Sequence, residues 1–442
     1  MGPQADAVLA DVDLPREADI VVVGGGIVGV SVALTLAQRG ISVVLCEKGT
    51  VACEQSSRNW GWVRQARRDP RELPLALESR RMWEGMERAG EIQTGFRRSG
   101  ILFAAEGDDE AAGHERWLEH ARPFQIDARM VSGAELDRLA PGAGARWKGA
   151  LYCATDGRAE PQQAAPAIAR AAQRAGATIL TGCAVRGLDL AGGRIAGVVT
   201  ERGRIRCAGV IVAGGAWSRR FLEDVEVTLP QLKVRASVLR TAPLADGPDT
   251  ALWCRGAAYR RRADGGYTVA DGDVTVAPLV PDTVRFAGAF MPAFRSERKN
   301  LRIRVDHRFA QEWRESRRVP YDRVSPYERT RVLDPSPDRR YPRDALERLA
   351  VLFPMFAQAR VVAEWAGMID VTPDAIPVIS AVDQVPGLVV ATGFSGHGFG
   401  VGPAAGRLAA ELATNAVPVV DPRDFRLSRF TDGSRPRPTS GV

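Results

Sequence analysis

Residues able to do chemistry gather at three places in the sequence. Val23 is followed by GGGIVG, in which Gly24, Gly26 and Gly29 make a GxGxxG pattern, and Glu47 stands eighteen positions beyond Gly29. Gly24 allows a tight turn, Gly26 lets backbone approach a pyrophosphate, and Gly29 lets the next helix lie close to its strand. A carboxylate at Glu47 can accept hydrogen bonds from ribose hydroxyls and repels a 2′-phosphate. FAD and NAD share this fingerprint. The second place is SSRNWGWVRQ, Ser56 to Gln65, with two tryptophans, two arginines and a glycine in one short loop. Such a loop suits an apolar ring on one side and an anion on the other. The third is GFSGHGFG, Gly393 to Gly400. Its backbone N–H groups at a helix start can face negative charge, and His397 sits among them.

The elements that hold these stretches can be read from pattern. Ile20 to Val23 is an apolar run, IVGVSVALTLAQR has helical spacing and stops at Gly40, and ISVVLCEK is a second strand. Strand, turn, helix, strand is a βαβ unit. GVIVAGGAW reads as a further buried strand reaching a glycine turn, and PGLVVATGFSGHGFGVGPAAGRLAAELATN as strand, turn, helix. Helices are expected over residues 71–90 and 159–176, and strands in TILTGCAVRGLDL, KVRASVLRT and GGYTVADGD. RSERKNLRIRVDHRFAQEWRESRR reads as a solvated helix of mixed charge. The Pro- and Arg-rich tail after Pro418 is expected to lie across the surface or loose.

Composition sets limits. The chain has 442 residues, 45% hydrophobic and 26% charged, with net charge +7, an ordinary globular balance too long for one core. Aromatics do not alternate with bases in the charge-dense segment, so no nucleic acid is expected as partner. The six cysteines form no CxxC and the four histidines do not cluster, so no metal site is expected. MGPQADAVLADVDLPREA lacks a basic start and an apolar run, and no stretch is long enough to span a bilayer. A cytoplasmic protein without a transmembrane segment is the expectation.

Taken together, VVVGGGIVGVSVALTLAQRGISVVLCEKG, VIVAGGAWS, EWAGMIDVTPDAIPVIS and ATGFSGHGFGVGPAAGRLAAEL resemble the D-amino acid oxidase superfamily, which includes glycine oxidase, sarcosine oxidase and D-amino acid dehydrogenase. WAGMIDVTPD looks most like the β subunit of heterotetrameric sarcosine oxidase. The resemblance implies an α/β protein with a Rossmann-type FAD-binding domain (18–90, 155–220 and 350–417) and a mixed-sheet substrate domain (91–154 and 221–349). Residues 1–17 and 418–442 would be terminal extensions. It implies an FAD site at Gly24, Gly26, Ile27, Val28, Gly29, Glu47 and Lys48, along Ser56, Ser57, Arg58, Asn59, Trp60 and Gly61, and at Val185, Ala213, Gly214, Trp217, Gly396, His397, Gly398, Phe399 and Gly400. Arg64, just before LPLALESRRMW, falls close to the carboxylate-binding arginine of monomeric sarcosine oxidase; its bland alternative is a surface ion pair, for instance with Asp69. Arg64, Trp62 and His397 are the expected catalytic-site residues.

The implied reaction is oxidation of the C–N bond of an amino acid or secondary amine carrying a carboxylate, with hydride transfer to flavin N5 and imine hydrolysis. Dioxygen, a quinone or a carrier protein would accept the electrons. The alternative is an FAD-bearing subunit or redox protein that is inactive alone, in a homo- or hetero-oligomer. Three departures stand out. Ile369 occupies the position of the carboxylate-binding arginine of glycine oxidases. Gly367 occupies that of the flavin-linking cysteine of monomeric sarcosine oxidase, so FAD is expected to be non-covalent. Thr268 falls near that enzyme's oxygen-activating lysine, which favours a dehydrogenase or a slow oxidase.

Overall fold

The computed structural model describes residues 2–143, 147–315, 318–434 and 436–439. Two sheets dominate. The first runs Val378–Ala381, Leu388–Thr392, Gly209–Val212, Ile20–Val23, Val43–Cys46, Thr178–Leu180, and every neighbouring pair is parallel except the first. Its central strands are continuous apolar runs because both faces are covered. Ile20, Val22, Val43 and Leu45 face the helices Ile27–Gln38, Pro161–Arg174 and Gly398–Ala413, whereas Val21, Val44, Val210 and Val212 face a three-stranded antiparallel sheet, Val185–Arg206. The helix Ile27–Gln38 is apolar nearly all round and almost wholly buried, as that pattern requires.

The second sheet has ten strands. Its path is Leu301–Arg304, Thr275–Pro278, Leu232–Thr241, Tyr267–Ala270, Ala257–Arg261, Ala251–Cys254, Ile101–Ala105, Gly149–Cys153, Ala128–Val131, with the long strand Val361–Val371 laid antiparallel along Leu232–Thr241. Helix Arg340–Leu352 closes one face over Tyr259, Tyr267, Phe353 and Phe356. The other face looks toward the glycine turns of the first sheet.

The helix expected over 71–90 is Leu73–Ala89, with Trp83 buried, and the one expected over 159–176 is Pro161–Arg174. The charge-dense segment is not one helix. Ala287–Glu297 and Arg308–Glu315 are helical, the strand Leu301–Arg304 pairs parallel with Thr275–Pro278 between them, and residues 316–317 lie outside the described residues. The period-two alternation in LRIR suits an edge strand, and the helix before it ends ahead of Leu301.

The tail also differs from a loose extension. It makes tight turns at Arg423–Phe425 and Leu427–Phe430, Phe425 is 1% exposed, and Arg429, 3% exposed, forks onto Asp374 at 3.1 Å while donating to the Ile376 carbonyl. Residue 435 and residues 440–442 of this extension, like Met1 of the other, lie outside the described residues. Removing Arg429 leaves the buried Asp374 carboxylate with only the longer, 3.5 Å contact to Arg71. Arg429→Ala should therefore lower stability by about 3 kcal/mol, seen as an earlier urea midpoint of the purified protein. Arg426→Ala, which breaks an exposed pair with Asp432 and exposed bonds to Ser434 and the Arg423 carbonyl, should leave that midpoint nearly in place.

Candidate active site

The glycine turn is forced by close approach. A Cβ on Gly24, whose φ is +109°, would lie 2.5 Å from the Ala213 carbonyl oxygen, and a Cβ on Gly29 would lie 2.0 Å from that of Gly24. Only glycine fits at either position. The first strand thus delivers the start of helix Ile27–Gln38 to the top of the sheet, beside the second glycine turn. The Ile27 N–H donates to Ser56 Oγ at 2.8 Å, which ties the loop Ser56–Gln65 to that helix start. Glu47 ends the second strand. Its carboxylate accepts from the N–H groups of Gly25 and Gly49 at 2.7 Å each, and burial pushes its pKa up despite nearby Lys48.

A continuous cavity starts at this carboxylate, beside Val185, Trp217 and Tyr327. It passes over Gly24 and Gly26 and ends between the sheets at Trp60, Trp62, Trp253, His397 and Gly398. Ile27, Val28, Lys48, Ser56, Arg58, Asn59, Ala213, Gly214, Gly396, Phe399 and Gly400 also line it. Gly29, Ser57 and Gly61 do not. Gly29 seats the helix on Val22, Ser57 is buried under its own turn, and Gly61 packs against the Ala159 carbonyl with φ +83°.

Lys48 and Arg58 border the cavity but spend their charge elsewhere. Lys48 Nζ donates to Glu54 and to the carbonyls of Thr330 and Arg331, at 2.7, 3.0 and 2.8 Å, and Arg58 donates to Asp334 at 2.8 Å and to the Ala366 carbonyl at 2.9 Å. Both therefore fasten the strap 327–334, which crosses from the second sheet and places Tyr327 against Trp217.

At the other end the walls are aromatic and cationic. Trp60, Trp62, Trp253 and Phe103 pack edge to face or tilted, with ring centroids 5.3–6.0 Å apart. Arg64 lines the cavity here and is half-buried. Its Nη1 donates to the Ala66 carbonyl, and its guanidinium carbon lies 5.7 Å from the centre of the Phe103 ring. Among the described residues no carboxylate lies within ion-pair distance of it. Asp69, its alternative partner, pairs with Arg71 instead. Burial first, and the Arg68 cation next, push the Arg64 pKa well down from its ordinary value.

Arg68 is held at 3.7 Å from Glu72, whose carboxylate is 0% exposed and meets His397 Nδ1 at 3.0 Å. Burial, then Arg68, push His397 down to about 4. The ring is neutral at neutral pH, and its Nδ1–H donates to Glu72. The first turn of helix Gly398–Ala413 follows at once, fixed where Ser79 Oγ and Trp83 Nε1 donate to the Gly400 carbonyl at 2.7 and 2.9 Å.

Sequence reasoning missed Arg68, Glu72, Trp253 and Asp156. Arg68 and Glu72 carried a signal, since they continue the Arg64 loop into the next helix. Trp253 and Asp156 carried none, because strands distant in sequence bring them in. Ile369 and Gly367 line the cavity, while Thr268 is buried on the sheet and bonded to Arg262.

A dinucleotide groove that opens beneath a second, largely antiparallel sheet is the plan of a two-sheet flavin-dependent oxidoreductase. Residues 19–412 match the family model for FAD dependent oxidoreductases, DAO, and the chain belongs to that family. It is similar to glycine oxidase of Pseudomonas aeruginosa, 26% identical over 413 residues covering 92% of this chain and 97% of that protein. It is also similar to sarcosine oxidase subunit beta of Rhizobium meliloti, 25% identical, covering 94% and 89%. Among solved structures, L-amino acid deaminase from Proteus myxofaciens in complex with anthranilate superposes with TM-score 0.94 at 31% identity, covering 97% of each chain. The protein is thus an FAD-dependent oxidoreductase of amine or amino acid type. Among the described residues no helix is long and apolar enough to cross a membrane, and no group of side chains could hold a metal.

FAD fits what the chain presents: a glycine cradle that any Cβ would fill, a helix start facing the groove, and a carboxylate at its far end. Gly29→Ala should lower the visible flavin absorption per protein about tenfold or more, because the helix must shift off its strand. Glu47→Gln should keep the fold and weaken FAD binding about tenfold, measured by fluorescence titration of the apoprotein.

Proposed function

We propose that the protein oxidises the C–N bond of an amino acid or secondary amine carrying a carboxylate. One observation carries the reading: Arg64, a half-buried guanidinium lining the cavity at its aromatic end, with no bonded carboxylate among the described residues. A planar fork of this kind binds a carboxylate through two parallel hydrogen bonds. The tryptophans supply apolar walls against which the rest of the substrate is held. Bound FAD, non-covalent because Gly367 replaces a linking cysteine, supplies the hydride acceptor. The chain's share is to fix the carboxylate, exclude water and present the substrate α-carbon in one orientation. The amine reacts in its neutral form, and the imine product hydrolyses in water to an oxo compound and an amine.

His397 is not required to take a proton. It is neutral through the physiological range and already gives its Nδ1–H to Glu72. The amide groups at the start of helix Gly398–Ala413 and the two arginines make this end of the cavity positive, which favours a reduced, anionic cofactor. Dioxygen, a quinone or a carrier protein takes up the electrons, and peroxide release during turnover separates the first from the others. The cysteines are free thiols, which suits a reducing, cytoplasmic setting.

An anaerobic screen of amino acids, N-methyl amino acids and opine-like secondary amines, read by flavin bleaching, tests the reading. Bleaching by hydroxy acids and by no amine would end it, and an inert FAD-bearing subunit would bleach with none. Arg64→Ala should cut kcat/KM about 10²-fold or more, mostly through KM, and Arg64→Lys should fall between it and wild type. The pH profile is a second check. A histidine held down to about 4 loses nothing as pH rises above that value, so its neutral form persists from the mildly acidic range upward. The profile of kcat/KM should rise only with the substrate amine. A bend near the ordinary histidine pKa that vanishes in His397→Asn would contradict this.

A further inference from the structure

If Arg64 anchors the substrate, something must hold Arg64. Its backbone leaves the sheet at this point. Trp62 and Val63 pair antiparallel with Arg158 and Gly157, and the same register carried one step further would set Arg64 opposite Asp156. The ladder stops there, and the Asp156 side chain takes over. Its Oδ1 accepts from the Gln65 N–H at 2.7 Å and from Gln65 Nε2 at 3.1 Å, and its Oδ2 accepts from the Ala66 N–H at 3.1 Å. Gln65 Nε2 also donates to Thr155 Oγ1, in the same turn as Asp156, at 3.0 Å.

Asp156 is 0% exposed, and its own backbone is pinned where its carbonyl accepts from the Gly100 N–H at 2.9 Å. No arginine or lysine among the described residues bonds to this carboxylate. A buried carboxylate without a bonded cation is costly, and it persists only where its hydrogen bonds serve the surrounding structure. Here it points at the two peptide N–H groups that follow Arg64. The Arg64 and Arg68 cations both lie close enough to feel its charge.

We infer that Asp156 is a positioning residue for the reaction: it fixes the arc Arg64–Ala66 so that the Arg64 fork faces the substrate carboxylate. The inference rests on the proposed function above. It differs from a counter-ion role in sign. As a counter-ion alone, Asp156 would weaken the pull of Arg64 on an anion, and its removal would tighten carboxylate binding. As a positioning group, its removal lets the fork move, and a shift of an ångström is enough to lose most of a bidentate contact.

The test uses the FAD-loaded protein and two probes of one shape, anthranilate and its uncharged amide anthranilamide, titrated by the change in visible flavin absorption. Asp156→Asn turns an N–H donor toward backbone donors and should weaken anthranilate about tenfold or more. Anthranilamide binding and FAD content should stay near wild type. If Asp156→Asn yields no holoenzyme, Gln65→Leu carries the test. It removes one of the three bonds and should weaken anthranilate alone, by about threefold. Equal weakening of both probes, no change, or tighter anthranilate binding in these variants would overturn the role of Asp156 and leave that of Arg64 standing. Wild-type anthranilate affinity in Arg64→Ala would overturn the anchor itself, and this inference with it.

Discussion

A half-buried guanidinium without a bonded carboxylate among the described residues is the constraint around which this site is arranged. Taking such a charge out of water costs several kcal/mol, and the cost must be met nearby. At Arg64 it is offset in parts: a carbonyl acceptor at Ala66, the face of Phe103, and the charges of Asp156 and Glu72 at a distance. None of these saturates the fork. In the proposed function an incoming carboxylate completes this set. Arg68 adds to the positive potential, and Glu72 keeps that arginine and His397 in place.

The two sheets convert this local arrangement into a site. The parallel sheet and its helices bring three glycine-rich turns to one edge, so that an extended nucleotide can lie along them. The antiparallel sheet supplies Trp253, backed by Phe103, and closes the far side. Between them the loop Ser56–Gln65 touches both: Ser56 binds the first helix start, Trp62 and Val63 pair with the strand before Ala159, and Arg64 enters the cavity. The strap around Tyr327 closes the nucleotide end through Lys48, Glu54, Arg58 and Arg331. The tail then locks Asp374, which sits under the last strands of the parallel sheet. Each of these attachments is a buried or half-buried ion pair or backbone bond, so the cavity is held by polar contacts around its rim and by apolar packing behind it.

Much of the glycine-lined groove was legible in the sequence because its pattern is local. The spacing from Gly24 to Glu47 encodes strand, turn, helix and strand in one stretch, and the loop that follows is short enough to stay near them. The charged ends of Lys48 and Arg58 were not legible. Their residue types suit phosphate, yet the chain returns at Thr330 to Asp334 and takes them, and nothing in the local pattern announces that return. Trp253 and Asp156 were hidden for the same reason, since strand order in the second sheet places Trp253 and the pairing of Gly157 and Arg158 with Trp62 and Val63 places Asp156. The tail was read from its prolines and arginines as lying across the surface or loose, and that composition does not announce that Phe425 and Arg429 are spaced to plug into the fold. In the charge-dense segment LRIR alternates with period two, a signal of an edge strand that was outweighed by the density of charge around it.

The most direct measurement is a crystal structure of the FAD-loaded protein with anthranilate bound. The account predicts both carboxylate oxygens within about 3 Å of the Arg64 guanidinium nitrogens, with the ring against the tryptophans. A carboxylate turned away from Arg64, or an Arg64 found paired with one of the protein's own carboxylates while the ligand binds elsewhere, would contradict it.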